Sequence, residues 1–499
     1  MKKVYFVQFL ILLFFTVFVS TACNGNKADN NELRYGFTTE PTTLDPLNPA
    51  NTADGRSILF NVFEGLVKPN VDGTFSPCIA ESWTMDQDAR TYDFILREGV
   101  LFHDGSPVTP SDVKFSLDTA RDENFDGLKN IEKIVVTGDR QIKIVLKNTD
   151  PEFLPYLTTG ITKADNKDRE KNVIGTGPFF VESYTPQRNL ALVKFDGYRQ
   201  SGQPHLKKVT IVFFANYDTL MVALSGGSID GAIITGSMAA RLDRKRFDIF
   251  NNRSAAVQLM ALNNAVPPFN DIRVRRAINY GIDVNGIIES AFFGAGTPSG
   301  SPIIPGLSVY YDDSLTYEYN PDLAASLLSQ AGFNGSNKLS LEITVPSNYA
   351  MHIDTAQVIV NQLGKIGVNA DIKLVDWSSW LSDVYFGKQY QATIISLDSA
   401  SVSPRSFLTR YRSDSGNNFI GFKNDAFDAV YNAVLTETDA DKRIKLYRDA
   451  QKIIAENAAS VYIQDIFSFV ALRGGAYDGV LDYPLYVVDF ASIYGKNNN

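Results

Sequence analysis

At 499 residues the chain is too long for one simple domain and points to two or three lobes. Its 44% hydrophobic and 21% charged residues are ordinary for a globular protein with large cores. The 12% aromatic residues, 33 Phe and 23 Tyr among them, suffice to thicken those cores or to line a ligand surface. With a net charge of −9 and no basic stripe interleaved with aromatics, nucleic acid is not an expected partner.

The chain opens with Lys2 and Lys3 ahead of VYFVQFLILLFFTVFV, an apolar run too short and wrongly flanked for a stable membrane span. Small residues Ser20, Thr21 and Ala22 then precede Cys23. This arrangement resembles a bacterial lipoprotein signal, although Leu is preferred where Ser20 stands. It implies removal of residues 1–22, lipidation of Cys23 and a polar tether over residues 23–32. The alternative is a secreted protein with a free cysteine after its cleavage site. Only Cys78 then remains, so no internal disulfide is expected, and in SPCIAESW it reads as a small buried filler. No later segment is apolar enough to cross a bilayer.

In RTYDFILREG, Tyr92, Phe94 and Leu96 alternate with Asp93 and Arg97, which predicts a half-buried strand. The stretch from Leu96 to Leu117, LREGVLFHDGSPVTPSDVKFSL, sets His103 beside an aspartate and a glycine, a trio that is catalytic, metal-binding or a plain turn. Asp104-Gly105 is a turn dipeptide. Thr109, Pro110 and Asp112 fit a capping box, with Val113, Leu117 and Ala120 as the buried stripe of the helix that follows. IEKIVVTGDRQIKIVLKN reads as a hairpin turning at Gly138-Asp139. IGTGPF, residues 174–179, lacks the GxGxxG spacing and its proline removes a donor, so it reads as a tight structural turn. Asn320-Pro321 opens a helix with Leu323, Ala324, Leu327, Leu328 and Ala331 on one face and Gly332 past its end. Residues 424–457 read as two helices separated by 436–440. Strands mixed with helices at this length imply an α/β or α+β fold of several lobes.

Enzymatic chemistry finds little footing. None of the three histidines, His103, His205 and His352, has another three or four residues away, and no HExxH occurs. There is no GxSxG elbow and no GxxxxGK[ST], so neither a serine nucleophile nor ATP on a P-loop is indicated. Asp and Glu are plentiful, which leaves open a pair facing one cleft as a glycosidase needs. Solvated surface charge is the plainer reading for nearly all of them. No cofactor is expected.

Four motifs in order carry a resemblance: IAESW followed by YDFILREGVLFHDGSPVTPSDVKFSL, then IGTGPF, then PPFNDIRVRRAINYGID from Pro267 to Asp283, then YEYNPDLAASLLSQAGF. Together they resemble the large extracytoplasmic solute-binding proteins of bacterial ABC importers, in the peptide and nickel class, from about Leu33 almost to the end. The resemblance implies an α/β, three-lobed, periplasmic-binding-protein-like fold, with two mixed-sheet lobes around a ligand cleft and an inserted smaller lobe. Lobe I would take residues 33–65, 184–262 and 468–499, lobe II 66–183 and lobe III 263–467, with hinge crossings near Asn263 and Ile466. His103 would be a structural turn residue. The chain would be a lipid-anchored monomer, not an enzyme, that captures a peptide or peptide-like solute between lobes I and III. It would pass the solute to a membrane permease driven by separate ATPase subunits. The alternatives are a surface hydrolase, a structural surface lipoprotein, and a carrier of another solute such as a sugar or metal chelate. Three scattered histidines supply little for free nickel.

By the same resemblance, ligand would touch Thr38, Thr39 and Glu40, the strand end at Asn263 and Asn264, and Trp377, for which core packing is an equal reading. Backbone groups there could pair with an extended peptide as an added strand. Peptide-binding relatives carry a Trp, then an Asp three residues later that holds the peptide amine, ahead of an acidic-Pro pair. Aligned on Pro404 and Phe407, LDSASVSPRSF has Leu397 at the Trp position, Ala400 at the Asp position and Ser403 before the proline. A buried ammonium without a carboxylate is costly. The expectation is therefore that Asp398, heading the segment with Ser399, Ala400 and Ser401, takes the amine, or that the amine is blocked or absent. Arg405 adds a donor for an anionic or carboxylate-bearing solute, the plain alternative being a solvated side chain.

Overall fold

The computed structural model describes residues 30–125, 127–398 and 403–496, without the side chains of residues 254 and 255. In Thr91–Leu96, Tyr92, Phe94 and Leu96 turn into a core while the residues between them do not, as period-two alternation dictates. The hairpin Ile131–Gly138 and Gln141–Leu146 pairs beside this strand, and Ala80–Met85 completes a four-stranded antiparallel sheet. Helix Pro110–Asp122 covers it with Val113, Leu117 and Ala120, all fully buried. Its N-terminus is a complete capping box: the Asp112 amide donates to the Thr109 hydroxyl and the Thr109 amide to the Asp112 carboxylate. Thr109→Ala is expected to cost about 1 kcal/mol, read by urea denaturation, because the Asp112 amide at the helix end loses its side-chain acceptor. This sheet, helix and core make lobe II.

Two of the sequence motifs turn out to be partners. The His103 amide donates to the Gly175 carbonyl (2.9 Å) and the Gly175 amide donates to His103 Nδ1 (3.1 Å). The ring's Nε2 faces the Gly177 carbonyl at 3.1 Å, so the neutral ring with its proton on Nε2 satisfies both neighbours. Burial pushes the His103 pKa down to about 4, which keeps that form. A Cβ on Gly175 would sit 2.0 Å from the Val62 carbonyl oxygen, and one on Gly177 2.6 Å from the Val62 carbonyl carbon. Glycine is required here for close backbone approach. The HDG trio is scaffold, docking lobe II onto the segment that returns to lobe I. Cys78 is likewise buried, with Arg199 Nη2 3.2 Å from its sulfur, and burial raises its thiol pKa.

Lobes I and III share one mixed sheet. Its order runs Asn369–Val375, Ser340–Pro346, Ala392–Asp398, Phe247–Leu262, Ser460–Arg473, Gly231–Ile234, Glu32–Phe37, Lys208–Phe213, Asn189–Lys194 and Phe179–Thr185. The two long central strands, Phe247–Leu262 and Ser460–Arg473, are antiparallel and belong to both lobes. Phe247 and Ala471 pack into a lobe I core, whereas Val257, Leu259 and Tyr462 pack into lobe III. Their register breaks between Arg253 and Val257, opposite Phe467 and Asp465. The crossing expected at Asn263 therefore lies earlier, because one strand runs unbroken through the junction to Leu262. Strand Phe179–Thr185 pairs in the lobe I half, so the chain is back in that sheet ahead of the border expected at residue 183.

Lobe III adds helices Pro321–Gln330, Ala350–Lys365, Asp425–Val434 and Ala440–Glu456. Asn320 caps the first, but only Ala324 and Leu328 are fully buried and Leu323 is 37% exposed. The helix packs against Ile272–Gly281, and Leu327 and Ala331 are partly buried on the same core, so four of the five expected positions are covered and Leu323 is not. The fold is the mixed α/β, multi-lobed architecture that the residues implied.

Candidate ligand-binding site

Register locates the cleft. In lobe I, Glu32–Phe37 is parallel to Lys208–Phe213 and Gly231–Ile234, and the last runs from its pairing with Leu472 to its pairing with Phe469, toward the crossing. In lobe III, Ser340–Pro346 is parallel to Asn369–Val375 and Ala392–Asp398, and the last runs from Leu262 to Ala256, also toward the crossing. The carboxyl ends of both parallel sets thus converge on one junction, where open α/β sheets hold their ligands.

The loops after these strands carry several of the expected contacts. Thr38, Thr39 and Glu40 follow Glu32–Phe37, and Thr39 and Glu40 are already held from within lobe I. The Thr39 amide donates to Asp54 (3.2 Å), and Glu40 accepts from Tyr184 Oη (3.0 Å) and the Gln187 amide (2.9 Å). Burial raises the Asp54 carboxyl pKa, against hydrogen bonds from Tyr486 and Thr39. Trp377 follows Asn369–Val375, is 37% exposed, and stacks flat on the buried Trp380 at 5.1 Å with Tyr349 edge-on at 5.5 Å. Trp380 Nε1 donates to Thr393 Oγ1, which fixes the stack. One face of Trp377 packs on the core and the other turns outward. Asp398 ends its strand opposite Ala256, at the crossing, with an exposed side chain. Ser399, Ala400 and Ser401 lie outside the described residues, as does Cys23.

Residues 74–419 match the bacterial extracellular solute-binding proteins, family 5 Middle. The chain belongs to this family. It is 26% identical to heme-binding protein A of Haemophilus influenzae, over 91% of this chain and 93% of the relative. It is also 26% identical to the glutathione-binding protein GsiB of Salmonella typhimurium, over 83% and 85%. Among solved structures, the ABC transporter-associated periplasmic binding protein DppA from Helicobacter pylori, in complex with peptide STSA, superposes with a TM-score of 0.72. The two are 23% identical, with 93% of this chain and 98% of that one covered. Family 5 proteins are bacterial extracellular solute-binding proteins. Among the described residues no helix is long and apolar enough to cross a membrane, and no group of three or more His, Cys, Asp or Glu could hold a metal ion.

In this family 5 protein, two expected contacts are placed away from the junction or are otherwise engaged. Asn263 and Asn264 lie past Leu262, roughly 20 Å beyond Val257 at about 3.3 Å per residue. Asn263 Nδ2 donates to the Lys388 and Tyr390 carbonyls, and Asn264 Nδ2 to those of Leu262 and Ala459. They close the far end of lobe III, not the cleft. The outcome follows from the strand's length, which carries Asn263 past the junction. Arg405 is neither solvated nor turned to open space: its guanidinium meets Asp150 of lobe II at 2.9 and 3.0 Å and Tyr156 Oη at 2.9 Å.

The junction also holds groups that the sequence reading passed over. Asp465 is fully buried at the register break, and neither carboxylate oxygen makes a hydrogen bond of normal geometry. Burial lifts its pKa to about 7, with the Arg253 charge and the Gly306 amide working the other way. Arg253 is itself tied to Asp482, through its amide (3.0 Å) and its side chain (3.3 Å). Beside them Gln464 donates to Gln258, which in turn bonds His352 Nδ1 (3.0 Å) and Thr355 (3.0 Å). The signal was a lone charge inside the apolar run SVYIQDIFSFVAL, where a strand interior rarely carries one.

Proposed function

We propose that this chain is the lipid-anchored subunit of an ABC importer that captures a peptide or peptide-like solute between lobes I and III and delivers it to the permease. The observation that carries the reading is the convergence of both sets of parallel strand ends on one two-strand crossing. Closure about such a crossing separates loaded from empty protein by differential affinity for two states. Peptide cargo is supported by the likeness to a glutathione-binding relative and to a structure holding peptide STSA. The anchor rests on Ser20-Thr21-Ala22-Cys23 alone. The chain carries no Asp at position 400, so Asp398 is the group proposed to meet a free amine.

Calorimetry with one tripeptide, free and N-acetylated, tests the cargo. Where the amine is recognised, acetylation and Asp398→Asn weaken binding to a similar degree. Where it is not, both leave affinity unchanged. A strong loss on acetylation that is independent of Asp398 would show the amine to be held elsewhere. Heme competes as cargo through the equally identical heme-binding relative. Heme binding without peptide binding would overturn the peptide reading.

A further inference from the structure

Lobe II is joined to lobe III by a buried cluster of charges. Asp150 and Glu152, just past the lobe II hairpin, are 5% and 7% exposed. Asp150 receives both terminal nitrogens of Arg405, and the Glu152 amide donates to the same carboxylate at 3.1 Å. Glu152 accepts from Tyr447 Oη and lies 3.6 Å from Arg443 Nε, both on helix Ala440–Glu456. Arg405 stands over the Tyr156 ring at 5.8 Å. We propose that Asp150 and Glu152, through Arg405, Arg443 and Tyr447, latch lobe II to lobe III and so set how readily the cleft opens.

Two features favour a latch over simple cement. Buried ion pairs gain little net stability over water, because desolvation offsets attraction, so a cluster of this kind separates and re-forms at modest cost. The geometry is directional, since a bidentate guanidinium–carboxylate pair fixes both distance and orientation. Removing the cluster leaves hinge strands and cores intact but frees lobe III to swing, and apparent affinity falls with the closed fraction.

The test needs no solute. Nitroxide labels at Ser201→Cys in lobe I and Ser329→Cys in lobe III of the full chain, both exposed positions, report the interlobe distance by pulsed electron resonance. Asp150→Asn is expected to shift the distribution to longer distances by several ångströms, and Arg405→Lys, which keeps the charge but loses the fork, by less. Glu152→Gln provides an independent break at the second carboxylate. Circular dichroism confirms that each variant is folded. A folded Asp150→Asn or Glu152→Gln protein whose distance distribution superposes on that of the parent would overturn the latch, as would a shift to shorter distances.

Discussion

Replacing Asp465 by Asn is expected to stabilise the protein increasingly as pH rises, by about 4 kcal/mol at pH 8 relative to its effect at pH 4. Burial raises the folded-state pKa of this carboxyl from an ordinary 3.8 to about 7. The folded state therefore holds a proton that the unfolded chain has already released. Stability from this group is complete below the unfolded pKa and is lost as pH climbs through the folded one. Asn has no proton to lose, so the difference between variant and parent isolates the carboxyl. Arg253 does not cancel the effect, because its charge is already turned to Asp482. Urea denaturation at a series of pH values reads the difference directly. A constant difference from pH 4 to 8 would mean that Asp465 ionises normally and is better solvated than its burial implies.

Two histidines work in the opposite direction. Burial lowers the pKa of His103 and of His352 to about 4 from 6.5, and each is held by hydrogen bonds suited to the neutral ring. The unfolded chain takes up protons first as pH falls, so stability present above 6.5 is lost between 6.5 and 4. The loss is about 3 kcal/mol for each histidine. Because Asp465 gains stability over part of the same range, the loss is best measured in the Asp465→Asn background. Ring-proton resonances assigned to His103 and His352 are expected to stay at their neutral shifts until near pH 4. Titration of either near 6.5 would contradict the buried geometry.

What the sequence disclosed was local. The capping box at Thr109, the hairpin at Gly138-Asp139 and the alternation through Phe94 rest on neighbours within a few residues, and the fold reproduces them. The family motifs carried the mixed α/β, multi-lobed architecture, whereas the position of Asp398 at the end of a strand came only from the sheet register. Arg405 and Asn263 went otherwise for a shared reason. Their partners lie far along the chain, Asp150 for one and Lys388 with Tyr390 for the other, and nothing near either residue announces them. For Asp465 the apolar run around it signalled burial locally, but its place at the register break depends on a distant strand.

The account stands most directly on one mass measurement. The full chain, purified without denaturation, is incubated with a mixed peptide pool and compared by native and denaturing mass spectrometry over time. It predicts one intact peptide-sized solute bound per protein, released on denaturation and unchanged in mass however long the incubation runs. Progressive conversion of the pool to shorter fragments, or protein that stays empty in every pool, would contradict it.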